Sequence, residues 1–242
     1  DVQKEMEDVM AFWFARGLAG FRIDAIRYLI ERPDGLNADT LESHAYIKGL
    51  RARANQRMPG AVLLGEAWTN AEDQAAYHGD GDELHLTFSF DMAAAIVETT
   101  RDGVRSRLNQ MLDRAPMAFK DRGWESPFLT NHDMARVARE MAADPLKLRV
   151  AAAIMLASPG TPFLYYGEEL GMVGGAERAD ENKRTPMRWT ADPKGGFTTG
   201  EPWWTMADEA VGIDVATQSA DPGSLLSLYR KLGPARRANE VL

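Results

Sequence analysis

The sequence predicts an α/β fold built on a parallel sheet. Short apolar runs at 19–23, 61–64, 84–90, 126–130 and 161–166 alternate with helical stretches. The first run lacks polar alternation apart from Arg22, as expected of a strand covered on both faces. The intervening segments are long enough for right-handed crossovers, which two-residue hairpins would not be.

Each element has a local cause. Met6, Val9, Met10, Trp13 and Phe14 recur at helical spacing among Lys4, Glu5, Glu7 and Asp8, giving an amphipathic helix over 1–16 that Gly17 stops. The strand at 19–23 follows. A helix is predicted over 38–56, ended by Pro59-Gly60 before the strand at 61–64, and another near 70–78. After the third strand, a helical region runs from 91 to 114 with a break at Arg101-Asp102-Gly103. Asp144-Pro145 opens a helix whose uncharged end, 151–157, should be deeply buried. Residues 171–210 are rich in glycine, proline and charge around Trp189, Trp203 and Trp204, a long irregular stretch of the kind that often carries function. A last helix runs from Ser224 to about Ala238, with Leu225, Leu228, Tyr229 and Leu232 on one side.

Composition narrows the chemistry. The net charge of -8 and the lack of a basic stripe exclude a nucleic-acid partner. Arg51, Arg53 and Arg57, and the pair Arg236-Arg237, read as solvated helix faces. With no cysteine there is no disulfide, thiolate metal site or thiol nucleophile, and no histidine pair has zinc spacing. No apolar stretch is long enough to span a bilayer, and no signal segment is recognisable, so no membrane partner is expected. The compartment stays open, with extracellular or periplasmic placement slightly favoured.

Three apolar runs lead into acids: Asp24, Glu66 and Asp133. In a parallel barrel the strand C-termini converge, which would collect Arg22, Asp24, Glu66, His132 and Asp133. Carboxylates placed together repel, so one becomes a proton donor while another stays an anion, as glycoside cleavage requires. Each acid alone also reads as a cap of the helix that follows. That reading accounts less well for Arg22, since an arginine inside an apolar strand needs an anion nearby.

Gly20-Phe21-Arg22-Ile23-Asp24-Ala25, Gly65-Glu66-Ala67-Trp68 and Phe128-Leu129-Thr130-Asn131-His132-Asp133 resemble, in order, three signature regions of the α-amylase family of glycoside hydrolases (family 13). Residues 160–169 look like that family's last barrel strand, and Arg184-Thr185-Pro186-Met187-Arg188-Trp189 resembles the loop of its oligosaccharide-acting branch, in which glutamine is common at position 188. The resemblance implies a partial (β/α)8 barrel, about strands 4 to 8 with their helices. It makes Asp24 the nucleophile, Glu66 the general acid and then base, and Asp133 the carboxylate that holds sugar hydroxyls. Arg22 would keep Asp24 ionised, and His132 and Asn131, with Tyr28 and Trp68, would contact substrate. Trp203 and Trp204 are further candidates for stacking on sugar rings. No metal ligand is assigned.

The implied reaction is double displacement on α-1,4-linked glucans or maltooligosaccharides, because Ala25 follows the nucleophile where α-1,6-specific relatives usually carry valine. The 184–189 loop leaves α-1,6-glucosidase, transglycosylase or isomerase activity open, and a non-catalytic interaction domain is the alternative of another class. The resemblance further implies that residues 1–242 are the second half of the barrel. The first strands, the inserted small domain that usually helps hold calcium, and the C-terminal β-sandwich would lie outside it. No cofactor is therefore assigned to this chain, and calcium is expected, if at all, only in a full-length protein. Such a half barrel is expected to be weakly active or inactive alone, with open edges available for self-association.

Overall fold

Four parallel strands lie side by side in chain order: β1 (Gly20–Ile23), β2 (Val62–Gly65), β3 (Leu86–Phe88) and β4 (Trp124–Ser126). The computed structural model describes residues 2–120, 122–175 and 179–239. The helices are α1 (Val2–Phe14), α2 (Leu41–Arg57), α3 (Ala71–Ala76), α4 (Phe90–Asp102), α5 (Ser106–Phe119), α6 (Val137–Glu140), α7 (Pro145–Ala157), α8 (Asp180–Lys183), α9 (Val215–Ala220) and α10 (Leu225–Arg237). The alternation of helix and parallel strand is that of a partial (β/α)8 barrel.

Capping chemistry sets several boundaries. Thr40 accepts from Ser43 N at 3.1 Å to start α2, Asn70 accepts from Asp73 N at 2.9 Å to start α3, and Asp144 accepts from Leu146 N at 2.9 Å ahead of Pro145 in α7. The break near 101–103 separates α4 from α5, and Gly103 adopts φ +75° there. Ser224 caps α10 as its sequence suggests.

The chain divides into two compact units, Asp1–Asp91 with Leu112–Ser126, and Met92–Met111 with Pro127–Leu242. In the first, Phe14, Ile26, Ile47, Leu50, Leu63, Tyr77 and Leu84 form a buried core around the sheet. In the second, Ile96, Leu129, Met141, Leu148, Met155 and Tyr229 belong to a core that α4, α7 and α10 share.

Three expectations are corrected. The fourth strand lies two residues earlier than its apolar run, and 161–166 joins no ladder. The described residues therefore contain four strands rather than five. Proline explains both: Pro127 and Pro162 have no N–H to donate, and between these segments the bond is Phe163 N to Pro127 O, 2.9 Å. On α1, Phe14 is buried and Met10 packs against the first core, whereas Met6, Val9 and Trp13 are exposed; a helical period does not say which neighbouring stripe faces inward. Finally, Arg236 is no solvated residue. Its guanidinium donates to Leu156 O and Ser158 O, both at 2.7 Å, and to Gly160 O, so it closes the C-terminal end of α7. Arg51 likewise donates to Glu83 O at 2.7 Å, and Arg53 pairs with Glu7.

Candidate active site

In the first unit the ends of β1 and β2 bring together Arg22, Asp24 and Glu66. Ile23 pairs with Gly65 in the ladder, so Asp24 and Glu66 stand one position beyond the same rung. Arg22 Nη1 donates to Asp24 Oδ1 and Arg22 Nη2 to Glu66 Oε2. One guanidinium thus serves two carboxylates, an arrangement its forked donors allow. Their environments differ: the Glu66 side chain is 11% exposed, that of Asp24 72%.

The backbone holds this geometry. Glu66 N donates to Ile23 O at 3.0 Å, and Ile26 N returns a bond to Glu66 O at 3.1 Å. Between them Ala25 takes a left-handed conformation, φ 44° and ψ 45°, which turns the chain into a 3-10 turn at Ile26–Tyr28. Non-glycine residues seldom adopt it, and such strain gathers at functional sites. A Cβ on Gly65 would lie 2.4 Å from Leu84 Cδ1 and 2.7 Å from Ile26 Cδ1, so a larger residue before Glu66 would have to push those two buried side-chain ends aside. Tyr28 and Trp68 are both exposed, and the Trp68 ring stacks on Phe90 with centroids 4.5 Å apart.

The second unit holds the other group. Arg184 Nη2 donates to Asp133 Oδ1 at 2.8 Å and Arg184 Nε to His132 O at 3.0 Å, while His132 Nε2 lies 3.2 Å from Asp133 Oδ2. Asn131 Oδ1 accepts from Asp133 N at 2.9 Å, so Asn131 shapes the loop that presents Asp133. Beside it opens a cleft of about 750 Å³ lined by His132, Tyr165, Tyr166, Glu169, Arg184, Pro186, Met187, Trp189, Phe197 and Trp203. Buried Arg136 supports its tyrosines, donating to Tyr166 O at 2.6 Å with its guanidinium carbon 4.9 and 4.6 Å from the Tyr165 and Tyr166 ring centres. The 171–210 stretch supplies much of this lining. Trp204 instead donates to Asn182 Oδ1 at 3.1 Å, and Arg188 to Ala207 O at 2.6 Å, which makes Arg188 a strut within the loop.

The N-cap positions after the three acids fall on other residues. Ala25 heads the 3-10 turn, Asn70 caps α3 and Arg136 precedes α6. In the sequence Arg184 figures only as part of the 184–189 loop and has no role assigned, although an arginine closing a charged run before Thr185-Pro186 is a signal, and the pair Arg27 and Asp39 is not marked. Among the described residues no group of three or more His, Cys, Asp or Glu side chains is placed to hold a metal.

Comparison with known proteins identifies the family of the chain. A family model described as the alpha amylase catalytic domain matches residues 1–242. The chain is 33% identical to the trehalose synthase/amylase TreS of Mycolicibacterium smegmatis over 284 aligned residues, covering 99% of this chain and 48% of that protein. It is 28% identical to an oligo-1,6-glucosidase of Bacillus cereus, covering 100% of this chain and 54% of that protein. Among solved structures, an alpha-amylase from H. orenii superposes with a TM-score of 0.83 at 28% identity, over 99% of this chain and 48% of the other. The chain therefore spans about half the length of the curated relatives it matches.

Proposed function

Because the chain belongs to the alpha-amylase catalytic-domain family, a family of glycosidases, we propose that it carries the carboxylate pair of a retaining enzyme acting on α-1,4-linked glucans or maltooligosaccharides. The observation that carries this reading is the single guanidinium of Arg22 between exposed Asp24 and buried Glu66. Asp24, kept anionic by Arg22, attacks the anomeric carbon while Glu66 protonates the leaving oxygen. Glu66 then takes a proton from the water that releases the sugar. Sharing one guanidinium supports the short separation, about 5–5.5 Å, that double displacement needs. In the second unit, Asp133, steadied by Arg184, is the carboxylate proposed to hold sugar hydroxyls, with His132 and Asn131 beside it.

We read residues 1–242 as the second half of the barrel, so turnover by the chain alone is expected to be weak. A 5-fluoro-α-glucosyl fluoride reads the chemistry without many turnovers. The expected result is one covalent glucosyl adduct, mapped to Asp24 and absent from Asp24→Asn. Label on another residue, or an Asp24→Asn protein that cleaves maltooligosaccharides as fast as its parent, would refute the assignment.

Transfer or isomerisation on the same site is favoured by one specific observation, the similarity to a trehalose synthase/amylase. Product analysis separates the readings: hydrolysis raises reducing ends, whereas transfer or isomerisation rearranges sugars without that rise.

A further inference from the structure

Between the turn that follows Asp24 and the loop that follows Glu66 runs a side-chain link unrelated to Arg22. Arg27, on the 3-10 turn, donates through Nη1 to Trp68 O at 2.8 Å, two residues beyond Glu66. Its Nε and Nη2 bind the Asp39 carboxylate, at 2.9 and 3.2 Å from Nε and 2.5 Å from Nη2. Asp39 is anchored in turn: its N–H donates to Arg27 O at 2.9 Å, and Tyr77, 1% exposed, donates its hydroxyl to Asp39 Oδ1 at 2.6 Å. The Tyr77 ring stacks on His44, with centroids 4.6 Å apart, and His44 Nδ1 lies 2.8 Å from Glu83 Oε2. From the other side Gln74 Nε2 donates to Ala67 O and Thr69 O, both at 3.0 Å.

The chemistry of these groups makes the link durable. The hydrogen bond from Arg27 holds the Asp39 carboxyl below its ordinary range, so the pair stays charged. Burial raises the Tyr77 phenol, which keeps it a neutral donor. Asp39 sits at φ +53°, a left-handed conformation that Asp and Asn tolerate better than other side chains. Arg27 and Asp39 themselves lie outside the β1–β2 ladder. The end points of this chain of contacts are the two loops bearing the carboxylates.

We propose that Arg27, fixed on Asp39, is a positioning residue that ties the Asp24 turn to the Glu66 loop and so sets the separation of the two carboxylates. The inference rests on the retaining mechanism above, in which that separation decides whether the nucleophile reaches the anomeric carbon as the acid reaches the leaving oxygen. A misplacement of about 1 Å at such a centre costs on the order of a hundredfold in rate.

The test uses Arg27→Gln, Arg27→Lys and Asp39→Asn in the whole chain, with two readouts. Amide hydrogen exchange needs no turnover: Arg27→Gln is expected to lose protection by about tenfold or more at 24–28 and 66–70 while α2 and the β1–β2 ladder keep theirs. In the labelling reaction, the rate constant for glucosylation of Asp24 should fall by about tenfold or more, with reagent affinity within about threefold. Arg27→Lys, which keeps the charge but cannot reach Asp39 and Trp68 O together, should recover part of both. Asp39→Asn should move both in the same direction by less, and it carries the test if Arg27→Gln does not fold. Unchanged protection at 66–70 would overturn the proposal, as would protection lost uniformly across the first unit or labelling lost wholly through affinity. If the parent protein is not labelled at Asp24, the catalytic reading fails, while the exchange data still decide whether Arg27 couples the loops.

Discussion

Replacing Glu168 by Gln should stabilise the protein by an amount that grows with pH, from about 1 kcal/mol at pH 5 to about 4 at pH 8. Glu168 follows the segment 161–166 and is 2% exposed; Tyr229 donates to its Oε1 at 3.2 Å, and its Oε2 has no hydrogen-bond partner. Burial pushes its carboxyl up to about 8 from an ordinary 4.5, with Glu169 adding in the same direction; hydrogen bonds from Tyr229 and the backbone, and the charge of Arg136, oppose. The sign follows from proton binding. Between these two values the folded chain holds a proton that the unfolded chain has released, so stability falls as pH rises through this window and levels off above it. The loss attributable to Glu168 is roughly 1 kcal/mol at pH 5, about 3 at pH 7 and about 4 at pH 8. Gln has the same shape and no charge to bury. Urea unfolding followed by circular dichroism from pH 5 to 9 should therefore show the variant gaining about 3 kcal/mol on its parent between pH 5 and 8. Parallel pH curves for the two proteins would refute the reasoning, because Glu169 and every other titrating group is common to both.

Two further outcomes bear on the first unit. Gly65→Ala should cost about 1–3 kcal/mol, because the new methyl must displace Leu84 and Ile26, both fully buried; thermal melting at the parental temperature would contradict this. His78 lies buried against Thr87, and burial lowers its imidazole to about 4, so the unfolded state binds the extra proton and stability falls as pH drops from about 6.5 toward 4. His78→Gln should flatten that acid limb by up to about 3 kcal/mol, measured by urea midpoints at pH 4.5 and 7; an equally steep limb in the variant would assign the loss to other groups.

The strand order and helix placement were legible because each rests on local signals: apolar runs, Gly and Pro stops, and Asp144-Pro145 at the start of α7. The limits of pairing were not. They depend on which N–H groups exist, and Pro127 and Pro162 remove donors in runs that otherwise read as strands. Arg22, Asp24 and Glu66 were legible because a charge inside an apolar strand demands a partner and the nearest acids stand at strand ends. Arg27 and Asp39 were hidden for the opposite reason. Both lie in polar, turn-rich sequence where a charge needs no explanation, and only the fold shows that they meet. Arg236 misled in the same way: its place on α10 gives no sign that α7 ends within its reach.

Register decides more of this site than residue identity does. Asp24 and Glu66 meet at Arg22 because each follows one member of the pair Ile23 and Gly65, and a slip of one residue would send one carboxylate to the opposite face. Two close approaches forbid that slip. A Cβ at Gly20 would lie 2.1 Å from Val62 O at one end of the ladder, and Gly65 is confined by Leu84 and Ile26 at the other, so each glycine fits where a larger residue moved by one place would not. With the register fixed, burial treats the two acids differently: the Glu66 side chain is 11% exposed and that of Asp24 72%, beside the same cation. In the double displacement proposed above, the negative charge passes from Asp24, which becomes an ester, to Glu66, which has given its proton to the leaving oxygen, and a guanidinium that reaches both can pair with whichever carboxylate is anionic.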